Sequence, residues 1–179
     1  MGYELNLSDM DSSELEKVKE QVKIYKKYRH VLQFGQLYRI RHDNVTQWAV
    51  VSKDKKTALA LHLLEKAHAN DRSEKLVLSG LDPDVKYHFY AEERPVDVRI
   101  FGDLINTLAP IHIKQGSKMH DAVAKFVKMK TTPENVSAYG DALMNAGVRL
   151  NAAYAGTGFD ENTRLALDFS TELYYIEGI

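Results

Sequence analysis

Ile24-Tyr-Lys-Lys-Tyr-Arg-His-Val-Leu-Gln-Phe-Gly35-Gln-Leu-Tyr-Arg-Ile40, followed by a polar turn at His42-Asp43-Asn44 and then Val45-Thr-Gln-Trp-Ala-Val-Val-Ser52, is where the character of the chain changes. Before Gly35 apolar residues recur every three or four positions; after it they alternate. A basic helix therefore ends at a glycine, and two strands joined by a turn follow, with Leu37, Tyr38 and Ile40 on the first and Trp48 and Val50 on one face of the second.

Upstream, Asp11 and Ser13 each precede a glutamate by three residues (Glu14 and Glu16), the pattern of a capping box, so a helix is expected to begin near Ser12. Leu15, Val18, Val22, Tyr25, Arg29 and Leu32 form its apolar stripe, with Glu16, Lys19, Glu20 and Lys23 facing away. Lys26, Lys27, Arg29 and His30 crowd the last turns, where cations offset the negative end of the helix dipole. That explains the basic cluster without a phosphate or nucleic-acid ligand.

Downstream, Thr57 to Leu64 reads as a third strand, Glu65 to Lys75 as a surface loop, and Leu76-Val77-Leu78 as a return to the sheet. Gly80 and Asp82-Pro83-Asp84 make a turn in which proline presets its dihedral and aspartate accepts local backbone bonds. Lys86 to Ala91 and Val96 to Phe101 follow as strands, then Val148 to Leu150, and Leu165 to Tyr175 closes the chain with Leu165, Leu167, Phe169, Leu173 and Tyr175 alternating. A short helix is expected within Ser117 to Met129. Adjacent Tyr174 and Tyr175 must face opposite ways, which puts one of them outside or at an interface. Short strands at intervals of roughly 8–12 residues indicate a mainly β protein, an antiparallel β-sandwich with a long N-terminal helix and a short helical insertion.

Composition narrows the function classes. The 179 residues suit one domain plus a helical lead-in. With 24 basic and 25 acidic residues the net charge is -1, which argues against nucleic acid, and no apolar window approaches the roughly 18 residues of a membrane span. There is no cysteine, hence no thiolate metal site or thiol nucleophile, and a cytoplasmic location is expected.

Gly156-Thr157-Gly158 lacks the lysine-serine tail of a phosphate loop and reads as a turn. His30, His42, His62, His68, His88, His112 and His120 fall on separate elements; His112 and His120 with Asp121 are the one group able to converge, and no metal is expected. Ser79 and Ser170 lack the flanking glycines of a nucleophile elbow. Asp160 with Glu161, and Asp168 with Glu172, are the carboxylate pairs, but nothing sets one of either pair in an apolar pocket as an acid requires. Trp48, Tyr38, Tyr87, Phe89, Tyr90 and Tyr154 are available to stack on sugars, although their strand alternation favours packing. The expectation is no catalytic residue, no metal and no cofactor, with substrate-binding residues unassigned.

Several segments in order resemble the barrel-to-C-terminal-domain region of the α-galactosidases of glycoside hydrolase family 36. They are Gly2 to Leu7, Tyr25 to Arg29, Phe34-Gly35, Leu37 to Arg39, Trp48 to Asp54, Ala58-Leu59, Leu78 to Asp84, Gly140 to Gly147 and Asp168 to Ser170. The resemblance implies a piece of a retaining enzyme that removes terminal α-galactose from melibiose, raffinose and related oligosaccharides. The catalytic aspartates of that family lie in a (β/α)₈ barrel, and their motifs are absent from this chain, so no catalytic residue carries over. It further implies residues 1–35 as a lead-in equivalent to the last barrel helix and 36–179 as the C-terminal sandwich, with an insertion at about 102–132. The expected partners are the barrel domain and a homo-oligomer, galactosides being met through the parent's active site. An autonomous carbohydrate-binding module is the alternative, and a small hydrolase using Asp168 and Glu172 a third reading.

Overall fold

The first element of the computed structural model, which describes residues 5–42, 45–66, 75–93, 95–97, 112–126, 128–130, 133–150 and 169–179, is a single 3₁₀ turn at Leu7–Asp9. Helix α1 (Ser12–Phe34) follows. Of the two candidate caps Asp11 is the one used: its carboxylate accepts from Glu14 N at 2.8 Å while the Glu14 carboxylate accepts from Asp11 N at 3.2 Å. The helix stops at Gly35, whose N–H bonds Val31 O at 2.8 Å.

The strands are β1 (Gln36–His42), β2 (Val45–Val51), β3 (Thr57–Leu64), β4 (Lys75–Leu76), β5 (Lys86–Ala91), β6 (Pro95–Asp97), β7 (Lys128–Lys130), β8 (Asn135–Tyr139), β9 (Val148–Arg149) and β10 (Ser170–Gly178). Two short helices, α2 (Lys118–Phe126) and α3 (Gly140–Asn145), complete the described elements. Six strands form one antiparallel sheet in the order β1-β2-β3-β10-β5-β8. β4 pairs with β9, and β6 with β7, as two small ribbons. The result is a mainly antiparallel, sandwich-like domain, as the strand spacing implies.

β10 lies in the interior of the large sheet, with Ile176 opposite Ala58 on one side and Phe89 on the other. Successive residues point to opposite faces, and here both faces are covered. On one, Ala49, Val51, Ala58, Ala60, Tyr87, Phe89, Tyr174 and Ile176 pack against Leu76, Leu78, Leu81, Leu143, Val148 and Leu150 from the β4–β9 and α3 layer. On the other, Leu59 and Tyr175 pack under Tyr28 of α1, with Ile24, Leu32, Tyr90 and Leu173 around them.

This two-sided burial corrects three expectations. Neither Tyr174 nor Tyr175 is outside: they are 3% and 1% exposed, because α1 covers the face that a plain sandwich leaves to solvent. Arg29 is exposed, and the buried positions of α1 are Tyr28 and Val31. A guanidinium in that seat would bury a charge and five donors, whereas a phenol has one polar atom to satisfy. The terminal strand runs past Tyr175: pairing extends from Ser170 to Gly178, and Phe169, expected within it, is 78% exposed at a positive φ of 56°, while residues 165–168 lie outside the described residues.

Other expectations hold in detail. β3 and β5 have the anticipated limits, and α2 falls within the anticipated helical stretch. Leu76 to Leu78 restarts not the main sheet but the small β4–β9 ribbon. Of Val96 to Phe101 only Val96 and Asp97 lie in β6, and His112 and Ile113 are in no strand; residues 98–101 and Ile111 lie outside the described residues, as do positions 67–74 of the expected loop. β7, β8 and α3 had no counterpart in the alternation.

The turn leading into β5 is tied to the β2–β3 turn by Tyr87, fully buried, whose hydroxyl donates to Lys55 O at 2.7 Å and accepts from Asp82 N at 3.0 Å. Asp84 N donates to Asp82 Oδ1 at 3.2 Å, the local bond foreseen for this turn. Gly140 opens α3 directly against this turn, and a methyl group there overlaps the Asp82 carbonyl oxygen. Gly140→Ala is therefore expected to destabilise the domain by at least about 2 kcal/mol in urea unfolding. Gly178→Ala, where the nearest atoms stand at 3.4 Å, is expected to stay within about 0.5 kcal/mol of the parent chain.

Candidate functional site

The densest polar cluster lies where α1 meets β10. The rings of Tyr28, Tyr90 and Tyr175 form a continuous group, Tyr28–Tyr175 and Tyr90–Tyr175 having centroids 5.2 Å apart, and His88 stacks on Tyr90 at 4.6 Å. Two residues beyond Tyr175 on the same strand face, Glu177 Oε1 accepts from the Tyr28 hydroxyl at 2.8 Å and from Lys27 Nζ at 2.9 Å. Lys27 also sits over the Tyr28 ring, 4.7 Å from its centroid. His88 Nε2 and Asn135 Oδ1 are 2.8 Å apart at the margin of this group.

Glu177, Lys27 and Tyr28 are each held in their resting charge. The hydrogen bond from Lys27, then that from Tyr28, holds the Glu177 carboxyl below the usual range; the same bond raises the Lys27 ammonium. Burial, ahead of its bonds to Tyr90 and Glu177, pushes the Tyr28 hydroxyl far up. A general acid needs a carboxyl raised towards neutral pH, and Glu177 is displaced the other way. Lys27 keeps a 59% exposed side chain, so the ion pair alone adds little; the buried phenol is what ties helix to strand. This arrangement braces rather than transfers protons.

A second polar tie joins the two sheets. Gln47, buried on β2, has Nε2 2.6 Å from Lys75 O and 3.2 Å from His62 Nδ1, and accepts from Val77 N at 3.4 Å. His62 lies opposite both Gln47 and Glu172 in the strand register. Above it runs a shallow groove lined by Tyr38, Trp48, Val77 and Ser79.

The residues singled out from sequence do not assemble into a centre among the described residues. Asp160, Glu161, Asp168, Tyr154, His68 and Gly156 to Gly158 lie outside them, so neither carboxylate pair is described in full. His30 packs on Phe34, His112 is exposed and His120 is buried, and no set of three or more histidines, aspartates or glutamates among the described residues is placed to hold a metal ion. Tyr87 and Phe89 belong to the core; Trp48, Tyr38 and Tyr90 are half-buried. Sequence reasoning missed Glu177 and Tyr28. Their one signal was spacing: Glu177 shares its strand face with Tyr175, and Tyr28 lies four residues from Ile24 and three from Val31.

Residues 45–176 match the family model described as the glycosyl hydrolase family 36 C-terminal domain. Over 89 residues, 49% of the chain, the sequence is 42% identical to α-galactosidase Mel36A of Lactobacillus acidophilus; over 48% of the chain it is 36% identical to α-galactosidase AgaA of Geobacillus stearothermophilus. Each alignment covers 12% of the relative, so the chain spans a small part of these proteins. In structure, 99% of the chain superposes on 18% of the α-galactosidase from Lactobacillus brevis, at a TM-score of 0.63 and 29% identity. AgaB of Geobacillus stearothermophilus, at a TM-score of 0.62 and 24% identity, has the same fold over 99% of this chain and 17% of its own.

Because the folded-state pKa of Glu177 lies below its ordinary value of 4.5, its contribution is complete above that pH and is lost as pH falls through the lowered value. Glu177→Gln is expected to flatten this part of the acid limb in a pH series of thermal melts. Tyr28→Phe, which removes a buried hydrogen bond to a carboxylate, is expected to lower stability by about 1–2 kcal/mol at pH 7.

Proposed function

From the premise that this chain belongs to glycosyl hydrolase family 36, through its C-terminal domain, we propose that it is the non-catalytic sandwich region of a retaining α-galactosidase. The parent acts on terminal α-galactosides such as melibiose and raffinose, met at an active site in its catalytic barrel. The observation that carries the reading is the superposition of nearly the entire chain on a minor portion of the Lactobacillus brevis α-galactosidase.

In this reading residues 1–35 correspond to the last barrel helix and 36–179 to the sandwich with its insertion at about 102–132. α1 is the joint. Its second half is seated on the sheet through Tyr28 and Val31, while Leu15, Val18 and Val22 of the first half are only partly covered and supply an apolar stripe to the barrel. The Lys27–Glu177–Tyr28 brace then fixes the angle between barrel and sandwich. The domain stabilises the barrel and contributes to assembly of a homo-oligomer. The cysteine-free composition suits a cytoplasmic enzyme.

Retaining hydrolysis needs two carboxyl groups about 5–5.5 Å apart, one of them raised in pKa. The purified chain is accordingly expected to leave a chromogenic aryl α-galactoside unhydrolysed, and turnover above buffer overturns the reading. In the Lactobacillus acidophilus enzyme, deletion of the matched segment is expected to abolish soluble active protein. Insertion of this chain in its place is expected to restore hydrolysis.

A further inference from the structure

The two outer strands of the six-stranded sheet are built differently. β1 carries Arg39 and Arg41, both exposed, and charged residues of this kind keep a sheet edge from pairing with another chain. β8, at the other end, reads Asn135-Val-Ser-Ala-Tyr139, with no charge and no proline, and no strand of the described residues pairs with its outer side. It also exposes two large apolar side chains, Val136 at 42% and Tyr139 at 54%.

The hydrogen bonds bracketing β8 determine which main-chain groups are available. Ala91 N donates to Glu134 O at 3.0 Å, and Gly140 N donates to Val85 O at 2.9 Å. With the register Tyr90↔Asn135 to Lys86↔Tyr139, Val136 and Ala138 therefore direct their amides and carbonyls to β5. Asn135 and Ser137 direct theirs to the open edge, as Tyr139 does its amide; the Tyr139 carbonyl is the N-cap acceptor of α3.

The geometry points to the β8 edge as a pairing surface for a second copy of this chain, the two strands running antiparallel about a twofold axis at Ser137. In that register Ser137 faces Ser137 of the second copy, and Asn135 faces its Tyr139. The central Ser137 pair exchanges both N–H···O=C bonds, and in each flanking pair the Tyr139 amide donates to the Asn135 carbonyl. Val136 comes to lie beside Ala138 of the second copy, covering the exposed apolar surface, and no like charges oppose one another within the strand. A twofold contact needs such a self-complementary segment, and a neutral edge centred on a small polar residue supplies it. The inference specifies the surface behind the assembly proposed above, and of that reading it rests on the homo-oligomer alone.

A pair of five-residue strands is small beside the roughly 1,200–2,000 Å² of stable interfaces, so the isolated chain is expected to associate at about 0.1–1 mM. Sedimentation over that range should show a monomer–dimer equilibrium, and the amides of Ser137 and Tyr139 should exchange more slowly as concentration rises. Ser137→Lys and Ser137→Glu, each placing like charges across the axis at an exposed site, should weaken self-association at least about fivefold. An equimolar mixture of the two should recover it as a heterodimer. A chain monomeric throughout overturns both the inference and the assembly reading. A dimer that Ser137→Lys leaves unchanged overturns the inference alone.

Discussion

Two neighbouring tyrosines on one interior strand hold the molecule together. Tyr174 stacks on Phe89 at 4.9 Å in the core between the sheets, and Tyr175 lies beneath α1 against Tyr28. A fully buried side chain of this size contributes about 1.5–3 kcal/mol, so β10 feeds two separate cores from successive positions. With Ile176 opposite Ala58 and Phe89, it also supplies the hydrogen bonds that join the β1-β2-β3 half of the sheet to the β5-β8 half. Helix, large sheet and small ribbon all pack on it or on its neighbours.

Much of this was legible. The helix start, the turn at Asp82, and the limits of β3 and β5 followed from capping, turn chemistry and alternation, which are local. What escaped depended on a second covering layer. Alternation in Tyr174-Tyr175 correctly gave opposite faces, but no property of strand residues tells whether a helix lies over the far one. Arg29 and Tyr28 are both compatible with a helical stripe, and the choice fell to Glu177, nearly the whole chain away. β8 was hidden because Asn135-Val-Ser-Ala-Tyr139 has the weak apolar contrast of an edge strand. β4 and β9 are two residues each, too short for a period to show.

The candidate site was legible mainly as a family pattern. The resemblance spread over Tyr25 to Arg29, Trp48 to Asp54 and Gly140 to Gly147 identified the family, and the match over residues 45–176 agrees with it. Structurally these segments are a helix seat, a turn leading into β3 and the α3 turn packed on Asp82. Their residues serve packing and turn geometry: Tyr28 for the brace, Ala49 for the core, Gly140 for a contact too close for a side chain. The polar ties have the same character. Gln47 links the two sheets, and Tyr87 links two turns.

The interior position of β10 bears on how the domain is made at the ribosome. β3 and β5 emerge well before it, each with one long side open, and both carry apolar runs, Ala58 to Leu61 and Tyr87 to Ala91. Until synthesis reaches Ser170 the nascent sheet exists as two unjoined sections whose inner margins invite pairing with a neighbouring nascent chain. A chaperone that shields those margins until β10 arrives would act at the step this topology leaves most exposed.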